Sequence, residues 1–177
     1  KKCVGNRHIN RIICIRTNEE IKIKVAEGTL VAALETPMQS TDTVAIIVAG
    51  SGGVDKNGNS PGLVNNSYKQ LAESLANEGI ATIRYDKRGI GENRGLLKDV
   101  KSLTIDDYVK DLESIVEYIR NGERFSKIHI IGHSEGALIG TLAAQNQTIN
   151  SMILLAGAGR PIDEVLIEQL SSQLPDE

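Results

Sequence analysis

The spacing of apolar residues changes several times along the chain, and each change marks an element. Ile21-Lys-Ile-Lys-Val25 alternates strictly, and Leu30-Val-Ala-Ala-Leu34 follows across Glu27-Gly28, which predicts a half-exposed β-hairpin. Thr43-Val-Ala-Ile-Ile-Val-Ala49 does not alternate, and its unbroken, β-branched run predicts a strand covered on both faces. Tyr68, Leu71, Ala72, Leu75 and Ala76 recur at helical spacing up to Asn77-Glu78-Gly79. Gly79 to Arg84 predicts a second buried strand. Thr104 and Asp107 have the spacing of a capping box ahead of the stripe Ile105, Tyr108, Val109, Leu112, Ile115, Val116 and Ile119, with Asn121-Gly122 as the stop. Lys127 to Ile131 is a short apolar run that enters the helical stretch Ala137–Ala144. Ser151 to Ala156 predicts a further buried strand, and Pro161 to Leu174 a last helix. Residues 1–20, with Ile9, Ile12, Ile13 and Ile15, read as an extended lead-in.

Buried strands that alternate with amphipathic helices predict an α/β fold: a mostly parallel sheet of about six strands with helices on both faces. In such sheets functional loops gather at the carboxyl ends of the strands. Four unusual stretches fall at those ends. They are the glycine-rich loop Gly50–Asn66, the turn Asp86-Lys-Arg-Gly-Ile-Gly91, the pentapeptide Gly132-His-Ser-Glu-Gly136, and Gly157-Ala-Gly159.

The pentapeptide has the form G-x-S-x-G at a strand-to-helix junction, the pattern of a nucleophile elbow. A serine there stands on a tight turn with its hydroxyl clear of the sheet, and glycines at 132 and 136 let strand and helix pass closely. The amide of Glu135 falls at a helix N-terminus, where it can donate to a developing oxyanion.

Three stretches in order carry a family resemblance. Ala49-Gly-Ser-Gly-Gly53, running into Asp55-Lys-Asn-Gly-Asn59, resembles the oxyanion loop of the α/β-hydrolase superfamily. Asp86–Gly91 resembles its D-x-R-G-x-G turn, and Gly132–Gly136 its elbow. Over roughly residues 21–174 the chain is most similar to the bacterial esterase, dienelactone-hydrolase and serine-aminopeptidase-like branch. The resemblance implies the α/β-hydrolase fold, with Ser134 as nucleophile of an acyl-enzyme on a small ester-like substrate. It implies backbone oxyanion donors at Ser51 and Glu135, and substrate contacts at Gly50, Gly52 and His133. Ala49 stands where the family usually has a histidine.

The family takes its acid after the seventh strand and its histidine after the eighth. Here the histidines are His8, His129 and His133: one in the lead-in, one reading as a packed strand residue, one beside Ser134. None is placed as a general base, without which a serine hydroxyl is a weak nucleophile. The chain therefore resembles the N-terminal two-thirds of a hydrolase, catalytically incomplete alone, with histidine and acid expected beyond residue 177. It divides into a lead-in at 1–20, an incomplete core at 21–159 and the start of a lid helix at 160–177. Asp163 and Glu164 are lesser candidates for a displaced acid. The 151–156 strand would form a sheet edge, and it is expected to pair with another chain, a second copy included.

Composition narrows the partners. A net charge of −3, with one Phe, four Tyr and no Trp, disfavours nucleic acid and anionic membranes. No apolar run approaches a membrane span, and Lys1–Gly5 lacks the apolar stretch of a signal peptide, so a cytoplasmic location is expected. Cys3 and Cys14 have no metal-binding spacing and read as ordinary thiols. Asp55, Asn57 and Asn59 lack the glycine and closing glutamate of a calcium loop. No phosphate-binding glycine motif occurs, so neither metal nor cofactor is expected. Asp86 and Arg88 read as turn-stabilising, and Lys110, Asp111, Glu113 and Glu117 as a solvated helix face. The competing readings are a non-catalytic interaction protein that keeps the elbow as a turn, and acyl transfer to an acceptor other than water.

Overall fold

The computed structural model describes residues 16–171, so the expectations on Cys3, Cys14, His8 and the isoleucines at 9–15 lie outside it. Its centre is the run predicted to be buried on both faces, which becomes β3 (Thr43–Val48). Alternate β3 residues point to opposite sides, and each side has its own apolar layer. Val44, Ile46 and Val48 pack toward α2 (Ile105–Asn121) and α3 (Glu135–Asn146). Ala45, Ile47 and Ala49 pack toward Tyr68 and Ala72 of α1 (Ser67–Asn77).

β3 lies between β4 (Ala81–Tyr85) and β5 (Lys127–His133), parallel to both, and β6 (Ser151–Leu155) extends the parallel set beyond β5. The hairpin β1 (Arg16–Val25) and β2 (Gly28–Pro37) joins antiparallel through β2 and β4, which gives the order β1-β2-β4-β3-β5-β6. A final helix, α4, spans Ile162–Ser171. The sheet is thus mostly parallel and covered on both faces, as the sequence predicts.

Four local expectations are corrected. β1 begins at Arg16 rather than Ile21, because polar cross-strand contacts extend the ladder where apolar alternation gives no signal. Arg16 pairs with Glu35 at 2.8 Å, Thr17 meets Thr36 at 2.7 Å, and Asn18 donates to Glu35 at 2.7 Å. β6 is exposed rather than buried, with Ile153 at 49% and Leu154 at 55%, because among the described residues only β5 pairs with it. His129 is half-buried rather than packed in the core, since the register sets it opposite Ser151, whose hydroxyl lies 2.7 Å from Nδ1. Asp111 is not on a solvated face: it is 1% exposed and takes two hydrogen bonds from Arg88, at 2.8 and 2.7 Å.

Candidate active site

Because β4, β3 and β5 are parallel neighbours, the loops that leave their carboxyl ends lie side by side. The elbow leaves β5, and its backbone is strained at one residue. Ser134 has φ 52° and ψ −117°, a region that side chains other than glycine rarely adopt. The two glycines are there for space. A Cβ at Gly132 would overlap the Gly136 carbonyl and come within 2.6 Å of the Ala137 Cα. One at Gly136 would overlap the Val48 carbonyl and come within 2.8 Å of Ala49 O. The turn is anchored on both sides, since Ser134 N–H donates to Leu155 O at 2.8 Å and Ala137 N–H to Ser134 O at 2.9 Å. α3 therefore starts directly after the serine, with the Glu135 amide in its first turn.

The loop after β3 runs against this turn. A Cβ on Gly50 would sit 3.3 Å from the Ser134 Cβ and 3.0 Å from His133 Nδ1, so only glycine fits without displacing the elbow. Both polar groups of Gly50 are held by side chains. Its N–H donates to the Tyr68 hydroxyl at 3.3 Å, and its carbonyl accepts from Lys87 Nζ at 2.7 Å. The Tyr68 hydroxyl also meets His133 Nδ1 at 2.8 Å, and burial pushes its pKa up, so it stays protonated at neutral pH. Beyond Gly50, Ser51, Gly52 and Gly53 are exposed.

The loop after β4 supports the other two. Asp86 accepts from the Lys56 amide at 2.6 Å and from the Glu92 amide at 3.0 Å, which ties the glycine-rich loop to its neighbour. Arg88 turns toward α2, where the hydrogen bonds that it donates to the Asp111 carboxylate hold its pKa above the ordinary guanidinium range. Lys87, only 2% exposed, turns inward and forms an ion pair with the Glu135 carboxylate. A groove of about 220 Å³ lined by Glu27, Arg88, Asp111 and Glu117 contains no residue of the elbow or of the Gly50 loop.

The structure brings Gly50, His133, Ser134 and Glu135 together. It also places Ser51 and Gly52 on the exposed continuation of the same loop. Asp163 and Glu164 are exposed on α4. Asp86 and Arg88 act as braces, as expected. Sequence reasoning missed Lys87 and Tyr68; the only local signal was that a lysine sits in the middle of an otherwise recognised turn.

The family described as Serine aminopeptidase, S33 matches residues 62–175, more than half of the chain. Esterase EstD of Thermotoga maritima is 28% identical over 107 residues, which are 60% of this chain and 25% of that protein. The chain thus spans about a quarter of that relative's length. A cold-adapted esterase from an Arctic intertidal metagenomic library superposes with a TM-score of 0.65 at 19% identity, over 96% of this chain and 71% of that one. An α/β serine hydrolase without lid from Xanthomonas campestris gives 0.62 at 23% identity, over 81% and 63%. A thermostable carboxyl esterase from Bacillus coagulans gives 0.65 at 18% identity, over 90% and 53%. At these identities the structural likenesses speak for the fold.

Proposed function

The chain belongs to the serine aminopeptidase S33 family of α/β-hydrolases, and from that membership we propose that it carries the nucleophile and oxyanion hole of a serine hydrolase of carboxylesterase type. Ser134 Oγ attacks the acyl carbon of a small ester, the alcohol leaves, and water then releases the acid from the acyl-enzyme. The amides of Ser51 and Glu135 donate to the oxyanion that forms in each step, while Gly50, Gly52 and His133 contact the substrate. An ester is favoured over an amide because the relative from Thermotoga maritima is described as an esterase.

The observation that carries this reading is the strain at Ser134. A non-glycine residue at φ 52° costs about 1–3 kcal/mol, and a glycine would form the same turn without that cost. A turn kept only for structure has no need of the hydroxyl, which argues against the non-catalytic reading. The general base comes from outside the described residues. His129 is engaged with Ser151, and His133 with Tyr68.

Intact mass spectrometry of the protein at its full encoded length, before and after a fluorophosphonate, tests this. We expect one adduct, absent from Ser134→Ala. An unmodified wild-type protein, or equal labelling of the variant, would overturn the acyl-enzyme reading.

A further inference from the structure

Lys87 is among the largest fully buried side chains of the described residues, and its ammonium lies within the proposed oxyanion machinery. A buried lysine must find partners for three N–H groups. One donates to Gly50 O at 2.7 Å, and another pairs with the Glu135 carboxylate. The ammonium also stands 4.7 Å from the centre of the Tyr108 ring, within cation–π range. The first two partners belong to two different segments, the loop after β3 and the first turn of α3 after β5.

The consequence follows from peptide geometry. No peptide among the described residues is cis, and in a trans peptide the C=O and the following N–H point in opposite directions. With the Gly50 carbonyl fixed on Lys87, the Ser51 N–H is directed away from the ammonium, and the Tyr68 hydroxyl holds the preceding N–H. The Glu135 side chain is drawn to the same ammonium, and its own amide opens α3. Each residue proposed as an oxyanion donor is thus tied to one cation, Glu135 through its carboxylate and Ser51 through the carbonyl of its own peptide plane. We infer that Lys87 is a positioning residue that sets the spacing and direction of the two oxyanion donors without touching substrate.

This inference rests on the proposed role of Ser134, and the experiment separates the two. Lys87→Met, Glu135→Gln and Ser134→Ala are compared in the protein at its full encoded length. Hydrolysis of p-nitrophenyl butyrate and inhibition by a trifluoromethyl ketone, which mimics the tetrahedral intermediate, are measured for each. Loss of a whole oxyanion donor lowers kcat about 100- to 1,000-fold, so a misdirected pair in Lys87→Met is expected to lower kcat roughly 10- to 100-fold. KM should stay within about threefold, and the ketone's Ki should rise by the same factor as kcat falls, because only the transition state uses the donors. A lysine that merely fills a cavity would change the melting temperature and leave that ratio alone. Folded Lys87→Met with kcat and Ki within about twofold of wild type overturns the inference. If Lys87→Met does not fold, Glu135→Gln decides: parallel loss of kcat and ketone affinity supports the tether, and wild-type values for both overturn it. Ser134→Ala with wild-type turnover would remove the nucleophile reading and the inference with it, whereas an inactive Ser134→Ala beside a fully active Lys87→Met removes the inference alone.

Discussion

Ser134 holds a backbone conformation that glycine adopts freely and serine only under strain, so function and stability should part at this position. Ser134→Ala keeps a Cβ and therefore the strain, and Ser134→Gly removes both. Chemical denaturation is expected to show Ser134→Gly more stable than Ser134→Ala by about 1 kcal/mol, less the entropy glycine restores to the unfolded chain, with neither variant active. Ser134→Gly less stable than Ser134→Ala by about 0.4–1 kcal/mol, the glycine entropy alone, would mean that the turn carries no strain. Ser134, Gly132 and Gly136 were legible in the sequence because a tight turn imposes its demands within five consecutive residues. Lys87 and Tyr68 were not, because their partners lie far along the chain, Gly50 being 37 residues from Lys87 and His133 being 65 from Tyr68. Asp111 was misread for the same reason. On its own helix it resembles any solvated carboxylate, and only Arg88, 23 residues away, explains its burial.

Elements were legible wherever periodicity or capping chemistry is local. The apolar run of β3 gave a doubly covered strand, and the stripe on α2 gave the helix that covers one of its faces. The start of α2 is a capping box, with the Thr104 amide and hydroxyl each donating to Asp107 at 2.9 Å. α1 begins differently: Asn66 at φ 53° supplies no side-chain cap, and the amides of Tyr68 and Lys69 donate to the Asn57 carbonyl of the preceding loop. Nothing in the sequence around Ser67 announces that arrangement. The box on α2 makes a pH-dependent prediction. Hydrogen bonds from the Thr104 amide and hydroxyl hold the Asp107 carboxyl below its ordinary value. A lowered carboxyl contributes stability above the unfolded value, about 3.9, and loses it as the pH falls through the native value. Asp107→Asn cannot ionise. Urea denaturation should find wild type more stable at pH 7 by about 0.5–1 kcal/mol, with the gap closing as the pH falls toward about 2. A gap that is constant with pH would remove the carboxylate's charge from the explanation.

On the scale of the whole molecule the two ends of the sheet differ. At the β1 end the outward residues are polar or charged, and Arg16, Thr17 and Asn18 are tied to β2. At the β6 end Ile153, Leu154 and Leu155 are all exposed, and successive residues face opposite sides of the sheet. A strand that is apolar on both faces is suited to the interior of a sheet, and among the described residues nothing pairs with the N–H and C=O groups of its outer edge. Ile162, Leu166, Ile167 and Leu170 of α4 are exposed as well. Residues 151–156 were legible as a strand because composition specifies that locally, while their burial depends on neighbours that no local pattern contains. The physical expectation is specific to the isolated 177-residue chain. It should bind the dye ANS, and in light scattering it should run heavier than its monomer mass, because apolar strand edges associate. Ile153→Lys places a charge on one face of β6 at the register position opposite Ile131, outside the elbow, and it should reduce both signals. A monomer that binds no dye would overturn the expectation that this edge associates.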